Sequence, residues 1–344
     1  PPSGWMKRAL REYRVLLLDQ RGTGRSTPVG EHIPGATPAD QAAYLAHFRA
    51  NGIVADCEWI RKHLGVERWT TLGQSFGGFT TLTYLSFAPE GLEASLITGG
   101  LAPVGRPVDD IYGATYVRTL AANRRYFDRY PGDRARVREI HRELEAEDVR
   151  LPSGDRLSVR RFRQVGMWLG DSAGFEHLHH VLELPVTSPA FLHDVENAVR
   201  WTRNPMYATL HESSYADGFP TRWSAARLLP DEIESTEAFT AEHVFPWMWE
   251  EYSGLRAHRD AAHLLAEHPW PRMADAAALA VNEVPVAATI YVDDVYVERA
   301  FAEETAALVR GLKPWITNEY AHNGLRADGE RVVGRLIDLV KGRA

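Results

Sequence analysis

The chain has 344 residues, of which 44% are hydrophobic and 25% charged, as expected for a globular protein of one large domain or two smaller ones. Its 39 basic and 46 acidic residues give a net charge of -7, which argues against nucleic acid or an anionic membrane as the main partner. The single cysteine, Cys57, excludes an intramolecular disulfide, and we expect a small buried side chain in a cytoplasmic protein. No apolar run approaches the roughly 18 residues of a membrane span, and the N-terminus shows no signal-peptide pattern.

The first hundred residues alternate short apolar runs with helical patterns. This alternation predicts a parallel sheet that is joined by right-handed crossovers and covered by helices. Gly52 weakens the middle of one helical pattern, so we expect a break there. The predicted elements are a strand at 14–19 (RVLLLD), a helix at 40–64, a strand at 68–72, a tight turn at 73–78, a helix at 79–87 and a strand at 92–97.

The middle of the chain has a different texture, because strand patterns are rare between residues 103 and 275 and the apolar spacing there is helical. The sequence therefore predicts an α/β core of residues 1–102 and 276–344, interrupted once by a helical cap of residues 103–275. A cap at the C-terminal edge of a parallel sheet lies where such sheets bind ligands. The last predicted elements are a strand at 284–292, a helix at 298–311, a strand at 314–320 and a closing helix at 325–341.

Residues 73–77 read Gly-Gln-Ser-Phe-Gly and match G-x-S-x-G, the nucleophile elbow of the α/β-hydrolase fold. This motif holds its serine on a sharp strand-to-helix turn, so Ser75 is the predicted nucleophile. The N–H of Phe76, at the start of the next helix, is predicted to stabilise the oxyanion. The alternative is a glycine-rich turn without chemistry, but the apolar strand before it and the helix after it favour the elbow.

A serine nucleophile needs a base, and the base needs an orienting acid. In α/β hydrolases the chain order is serine, acid, histidine. Asp294 follows the predicted strand at 284–292 and His322 follows the last strand, so both are expected at the same sheet edge as Ser75. Asp293 remains an alternative to Asp294, because the side-chain alternation of one strand cannot decide between them.

The other histidines and one further motif suit supporting roles. His179, His180 and His211 lie in the predicted cap as surface or substrate residues, and His63 ends a helix whose dipole it complements. The segment 19–26 (DQRGTGRS) lacks the Gly-Lys-Ser/Thr ending of a phosphate loop. We expect a turn there, whose Asp and Arg hydrogen-bond within the shell that supports the site.

Six segments together resemble the proline iminopeptidase (prolyl aminopeptidase) family of α/β-hydrolase serine peptidases, in its longer bacterial branch. The combination of DQRGTGRS with GQSFGG is specific, whereas either motif alone is not. The six segments span nearly the whole chain and are residues 19–26, 73–78, 204–207 (NPMY), 211–212 (HE), 245–248 (FPWM) and 318–326 (NEYAHNGLR).

The resemblance implies release of an N-terminal proline from peptides through an acyl-enzyme, with no metal or other cofactor. Ser75 would attack, His322 would transfer the proton and Asp294 would orient the imidazole. Family members bind the charged N-terminus with cap glutamates, and the matching candidates are Glu212 and Glu242. Each of them could instead be a solvated or locally paired surface charge, because the cap is rich in Glu and Arg. An apolar slot for proline is expected among the cap aromatics.

The family also carries a glycine-rich oxyanion loop upstream of the DQRGTGRS segment, and this chain contains no such motif. Loss of one oxyanion donor lowers the rate on the order of a hundredfold to a thousandfold. The sequence begins at Pro1 without an initiator Met, so we expect either a fragment that lacks N-terminal strands or an impaired enzyme. The alternatives to an aminopeptidase are an esterase or amidase of the same fold and a catalytically impaired, hydrolase-like binding protein.

Overall fold

A parallel sheet of four strands forms the centre of the computed structural model, which describes residues 3–343 apart from the side chain of Arg200. Sheet neighbours are also consecutive in the chain, although the whole segment 99–285 lies between the second and third strands. The strands are β1 (Trp69–Gln74), β2 (Leu92–Thr98), β3 (Val286–Tyr291) and β4 (Leu312–Thr317).

From residue 3 onward, four α-helices precede β2, and the third and fourth of them lead directly into the strands β1 and β2. The predicted parallel sheet flanked by helices is thereby confirmed, and the four strands overlap the strands predicted at 68–72, 92–97, 284–292 and 314–320. The helices are α1 (Gly4–Ala9), α2 (Pro38–Leu45), α3 (Ala50–His63) and α4 (Phe76–Phe87), with short 3-10 turns at Ala46–Phe48 and Pro89–Gly91.

The segment between β2 and β3 is helical, as its apolar spacing predicted. Its α-helices are α5 (Val108–Arg129), α6 (Asp133–Ala146), α7 (Val159–Phe162), α8 (Gly174–Leu182), α9 (Pro189–Ala198), α10 (Pro205–Leu210), α11 (Ser224–Arg227), α12 (Asp231–Ser235), α13 (Met248–Glu251), α14 (Arg259–Ala266) and α15 (Ala276–Ala280). Its 3-10 helices are Arg163–Gly170, Arg200–Arg203, Glu212–Tyr215 and Ser253–His258.

In the part of the chain up to residue 343, three helices follow β3, and the last one packs on the sheet. They are α16 (Arg299–Leu308), α17 (Gly324–Ala327) and α18 (Gly329–Val340). The buried residues of α18 recur at helical spacing, so one apolar face packs against Leu96 of β2 and Ala287 of β3. The Asp328 side chain accepts the Arg331 N–H and caps the start of this helix.

Two hydrophobic clusters divide most of the buried side chains. One joins α4 and the sheet to parts of the middle segment, including Tyr112, Tyr215 and Trp270. The other is drawn from residues 122–262 with the single addition of Val295. The middle segment therefore has an apolar core of its own, and Val295 ties that core to the loop after β3.

The predicted strand at 14–19 is wrong. Leu16, Leu17 and Leu18 are exposed to 55%, 70% and 46%, and only Val15 packs against the core. A strand exists through hydrogen bonds to a neighbouring strand, and within residues 3–343 no strand pairs with this segment. Apolar composition indicated burial, but it could not supply the partner.

The predicted break at Gly52 is also misplaced, because the helical segment breaks at residues 46–49 and α3 runs through Gly52. A Cβ at Gly52 would lie 2.2 Å from the carbonyl oxygen of His47 and 2.7 Å from the Arg21 guanidinium. Gly52 therefore allows a close approach between elements rather than ending a helix. Among the helices of the described residues, none has the length and apolar character needed to cross a membrane.

Candidate active site

Ser75 lies at a sharp turn between the end of β1 and the start of α4. Its backbone has φ 52° and ψ -121°, in the region that non-glycine residues rarely occupy. The Ser75 N–H donates to the carbonyl of Thr98 at 3.0 Å, and the Ser75 carbonyl accepts the N–H of Gly78 at 2.7 Å. Such strain costs about 1–3 kcal/mol and persists only where the surroundings enforce it. The turn directs the nucleophile candidate out of the strand, with the Phe76 N–H in the first turn of α4.

The glycines around Ser75 have unequal steric roles. A Cβ at Gly73 would lie 2.2 Å from the Gly77 oxygen, and one at Gly78 would lie 2.5 Å from the Gly100 oxygen. A Cβ at Gly77 would have no heavy atom within 4 Å. The close approach of strand, helix and neighbouring loop therefore depends on Gly73 and Gly78. Gly78 lies just outside the five-residue motif.

His322 and Asp294 form a buried pair in the loops that follow β4 and β3. The two atoms Nδ1 of His322 and Oδ2 of Asp294 are 2.7 Å apart, and a carboxylate can only accept, so Nδ1–H donates. Asp294 Oδ1 accepts the backbone N–H groups of Tyr296 and Val297 at 2.9 and 3.0 Å. These bonds fix the carboxylate and leave Nε2 of His322 available as a base.

Asp293, the alternative acid, points elsewhere. Its side chain is 54% exposed and lies 3.6 Å from the Arg125 guanidinium, whereas the Asp294 side chain is 2% exposed. The strand pattern left the two open because the turn after β3, rather than the strand itself, decides which carboxylate faces His322.

The loop after β2 connects the nucleophile candidate to the histidine. A Cβ at Gly99 would lie 3.2 Å from Nδ1 of His322, and one at Gly100 would lie 2.5 Å from the Ser75 carbonyl oxygen. The Gln74 amide donates to the His322 carbonyl at 3.2 Å. Among the hydrogen bonds of the described residues, none joins the side chains of Ser75 and His322. Such bonds are often long in an unliganded site and tighten when substrate binds.

The surroundings of His322 favour its protonated form. Burial lowers its pKa, but the charge and hydrogen bond of Asp294 raise it, with a smaller contribution from Glu242, and the net pKa lies above 6.5. The Tyr296 ring packs edge-on against the imidazole at 4.9 Å between centroids. His322 is therefore held in orientation by a carboxylate on one side and an aromatic ring on another.

Glu212 is 5% exposed and lies in the 3-10 helix Glu212–Tyr215. Its Oε1 accepts the N–H of Ala225 at the start of α11, at 2.9 Å. Its Oε2 has no hydrogen-bond partner within the described part of the chain and borders a cavity of about 10 Å³, which Thr221 and Trp270 also line. Burial raises its pKa to about 7, although the Ala225 N–H opposes this. Oε1 of Glu212 is thus hydrogen-bonded to the protein backbone, whereas Oε2 is not.

Glu242 is partly buried, and its charge helps to raise the pKa of His322. The Tyr207 hydroxyl donates to its Oε1, and Nε2 of His211 donates to its carbonyl oxygen at 3.0 Å. Burial raises the pKa of Glu242 to about 7, while His322 lowers it and Asp294 raises it. A carboxylate and the Asp294–His322 pair therefore share one electrostatic environment.

Within the described residues, the DQRGTGRS segment does not form the expected hydrogen bonds to Ser75, Asp294 or His322. Arg21 forms a two-pronged ion pair with Asp56 of α3, at 2.6 Å for each bond, and Asp19 accepts the N–H of Arg25 at 3.1 Å. No hydrogen bond of the described residues joins the segment to Ser75 or His322. It stabilises its own turn and its contact with α3.

Sequence reasoning missed Tyr296, the Gly99–Gly100 loop and Tyr207. Tyr207 belongs to the NPMY segment, which contributed to the family resemblance without a role assigned to it. Within residues 3–343, no group of three or more His, Cys, Asp or Glu side chains is placed to hold a metal ion.

Comparison with known proteins agrees with this geometry. A family model described as the alpha/beta hydrolase fold matches residues 2–197. The fold class is therefore that of the α/β hydrolases, with a serine at the elbow.

Individual relatives identify the family within the α/β hydrolases. A proline iminopeptidase from Aeromonas sobria is 46% identical over 349 residues, covering 98% of this chain and 82% of that protein. The proline iminopeptidase aneH from Aspergillus aculeatus is 32% identical, covering 98% of this chain and 81% of that protein. The chain belongs to the proline iminopeptidase family. A solved proline iminopeptidase from Mycobacterium smegmatis is more distant, at 14% identity and a TM-score of 0.40, covering 94% of this chain and 78% of that one.

Proposed function

We propose that this protein is a serine aminopeptidase that releases N-terminal proline from peptides through an acyl-enzyme. The observation that carries the proposal is the buried His322–Asp294 hydrogen bond at 2.7 Å, in a chain that is 46% identical to a proline iminopeptidase and holds Ser75 on a strained turn after β1. Glu242 supports the proposal, because a partly buried carboxylate that raises the pKa of His322 can also attract the ammonium group of a substrate.

The proposed reaction uses Ser75, His322 and Asp294 in the roles of a catalytic triad. Ser75 Oγ attacks the carbonyl carbon of the N-terminal proline, and Nε2 of His322 takes the hydroxyl proton. The Phe76 N–H donates to the oxyanion of the tetrahedral intermediate. This intermediate collapses when His322 protonates the departing amine, which leaves a prolyl ester on Ser75. Water then attacks that ester with His322 again as base, and free proline leaves.

Amine recognition is assigned to Glu242 and Glu212. A carboxylate with a pKa near 7 is readily shifted to its ionised form by a neighbouring ammonium group. An N-acylated proline offers no charge to this carboxylate and would also need space beyond it. The site therefore selects the first residue of a chain.

The remaining assignments follow from the same proposal. Residues 103–275 serve as a cap over a core made of residues 1–102 and 276–344. The partners are peptides with a free N-terminal proline rather than nucleic acid or membrane, in keeping with the net charge of -7, and the compartment is the cytoplasm.

The test compares L-proline 4-nitroanilide with N-acetyl-L-proline 4-nitroanilide by release of nitroaniline. We expect cleavage of the first only, and no turnover of either by Ser75→Ala. Equal cleavage of both substrates would refute amine recognition. Activity retained in Ser75→Ala, after exclusion of contaminating peptidase by mass spectrometry, would refute the nucleophile.

A further inference from the structure

Tyr207 makes a contact that the proposed reaction has not used. It lies in the short helix α10, and its hydroxyl donates a hydrogen bond to Oε1 of Glu242. Tyr207 is 38% exposed and Glu242 is partly buried, so their hydrogen bond lies at the boundary between solvent and the protein interior. The bond joins two segments that are far apart in the chain.

The ring of Tyr207 is fixed by two neighbours. It stacks on the buried Trp201 at 5.0 Å between centroids and 19° between planes. The edge of His211 packs against it at 5.5 Å and 82°. Both contacts involve the ring, so the hydroxyl can be removed without removal of the packing.

His211 holds the backbone of the same glutamate. Its Nε2–H donates to the Glu242 carbonyl at 3.0 Å, and complete burial lowers the pKa of His211 to about 4. The imidazole is therefore neutral under ordinary conditions and keeps one tautomer. Glu242 is held by its main chain through His211 and by its side chain through Tyr207.

A chain of contacts leads from this pair to the base. His211 packs edge-on against Tyr215 at 6.0 Å, and the Tyr215 hydroxyl donates to the carbonyl of Tyr296 at 3.1 Å. The Tyr296 ring in turn packs against His322. The position of Glu242 is thus defined relative to the residue that transfers the proton.

We propose that Tyr207 is a positioning residue for the substrate ammonium group: by occupying Oε1 of Glu242, it leaves Oε2 directed at the amine. This inference rests on the proposed function, because it assumes that Glu242 binds a charged N-terminus. A hydroxyl donor to a carboxylate also keeps the carboxylate in one rotamer, which lowers the entropy lost when the ammonium binds.

The test is Tyr207→Phe, which retains the stacked ring. Hydrogen bonds to charged groups correspond to about tenfold to a hundredfold in an equilibrium constant. We expect KM for L-proline 4-nitroanilide to rise by about tenfold or more while kcat changes by less than about threefold, because Tyr207 touches no reacting atom. The matched control is Tyr126→Phe, which removes another tyrosine–carboxylate bond, to Asp133, away from the site. Its KM is expected to stay at the wild-type value.

A double-mutant cycle with Glu242→Gln separates positioning from a general loss of structure. If Tyr207 acts through Glu242, Tyr207→Phe will change KM by less than about twofold in the Glu242→Gln background. Multiplicative effects of the two substitutions would overturn the inference, as would an unchanged KM in Tyr207→Phe alone. Thermal unfolding of each variant identifies any rise in KM that follows from lost folding.

The failure of this inference is distinguishable from the failure of the proposed function. Equal cleavage of the free and N-acetylated substrates by the wild type overturns the proposed function and the role of Tyr207 with it. Strict preference for the free amine together with an unaffected Tyr207→Phe enzyme overturns the positioning role alone.

Discussion

Gly78 offers a direct test of how closely the nucleophile turn is packed. In Gly78→Ala the added Cβ would lie 2.5 Å from the Gly100 oxygen and 2.7 Å from its Cα. Both atoms belong to backbone, which cannot move aside as the end of a flexible side chain can. Restoring ordinary van der Waals contact requires α4 and the Gly99–Gly100 loop to separate by about 1 Å.

The magnitude follows from two opposing effects. Overpacking of this kind costs about 1–3 kcal/mol, and alanine in a helix returns up to about 1 kcal/mol relative to glycine. We therefore expect Gly78→Ala to lower the free energy of unfolding by about 1–2 kcal/mol. Gly100 also contacts the Ser75 backbone, so the shift reaches the nucleophile, and a displacement near 1 Å can lower the rate about a hundredfold.

Gly77→Ala is the matched control, since its Cβ would have no heavy atom within 4 Å and the residue lies in the same helix. Here only the helix propensity changes, so the free energy of unfolding should stay level or rise by up to about 1 kcal/mol. Urea denaturation followed by tryptophan fluorescence measures both variants, and proline 4-nitroanilide turnover measures the displacement of Ser75. A Gly78→Ala protein as stable and active as Gly77→Ala would refute the packing argument.

Three further predictions concern charge at the site. Asp294→Asn should lower kcat about ten-thousandfold, while Asp293→Asn, which loses only an exposed ion pair, should stay near wild type; equal losses would refute the assignment. The kcat/KM of the wild type should fall as pH drops below about 7, because Glu242 and Glu212 must be ionised and His322 neutral, and Glu242→Gln should remove the Glu242 part of that fall. Burial raises the pKa of Glu212 from 4.5 to about 7, so the protein should lose stability as pH rises through this interval. Glu212→Gln should remove the Glu212 part of that slope, leaving the part that Glu242 contributes, and should unfold at higher urea near neutral pH; an unchanged slope would show that Glu212 does not contribute.

The parts of this structure that the sequence predicted depend on local patterns. The turn at Ser75 was predicted because the elbow motif has a fixed spacing between a strand and a helix, and β2 was predicted because an apolar run ends at a glycine pair. Asp294 and His322 were proposed because each follows a predicted strand and because the chain order matches serine, acid, histidine. None of these inferences needed to know which distant residues touch.

The parts that failed depend on distant partners. The leucines of segment 14–19 have the composition of a buried strand, yet burial requires a neighbouring strand that no local pattern specifies. Gly52 is a residue type that often breaks helices, but here the close approach of Arg21 and His47 leaves no space for a side chain. Tyr207 and Glu242 are 35 residues apart, and only the fold brings the hydroxyl to the carboxylate.

The insertion of a long helical segment between β2 and β3 also sets the order in which the site can form. Ser75 and β2 leave the ribosome long before Asp294 and His322, and N-terminal parts of a chain generally fold first. Gly78 and Gly100, which allow the close approach around Ser75, are synthesised early, whereas His322, the proposed base, is synthesised only after the whole helical segment. A nascent chain that stops before residue 322 would carry the proposed nucleophile without the proposed base. The proposed peptidase chemistry therefore cannot begin until the helical segment proposed to select the substrate has been synthesised.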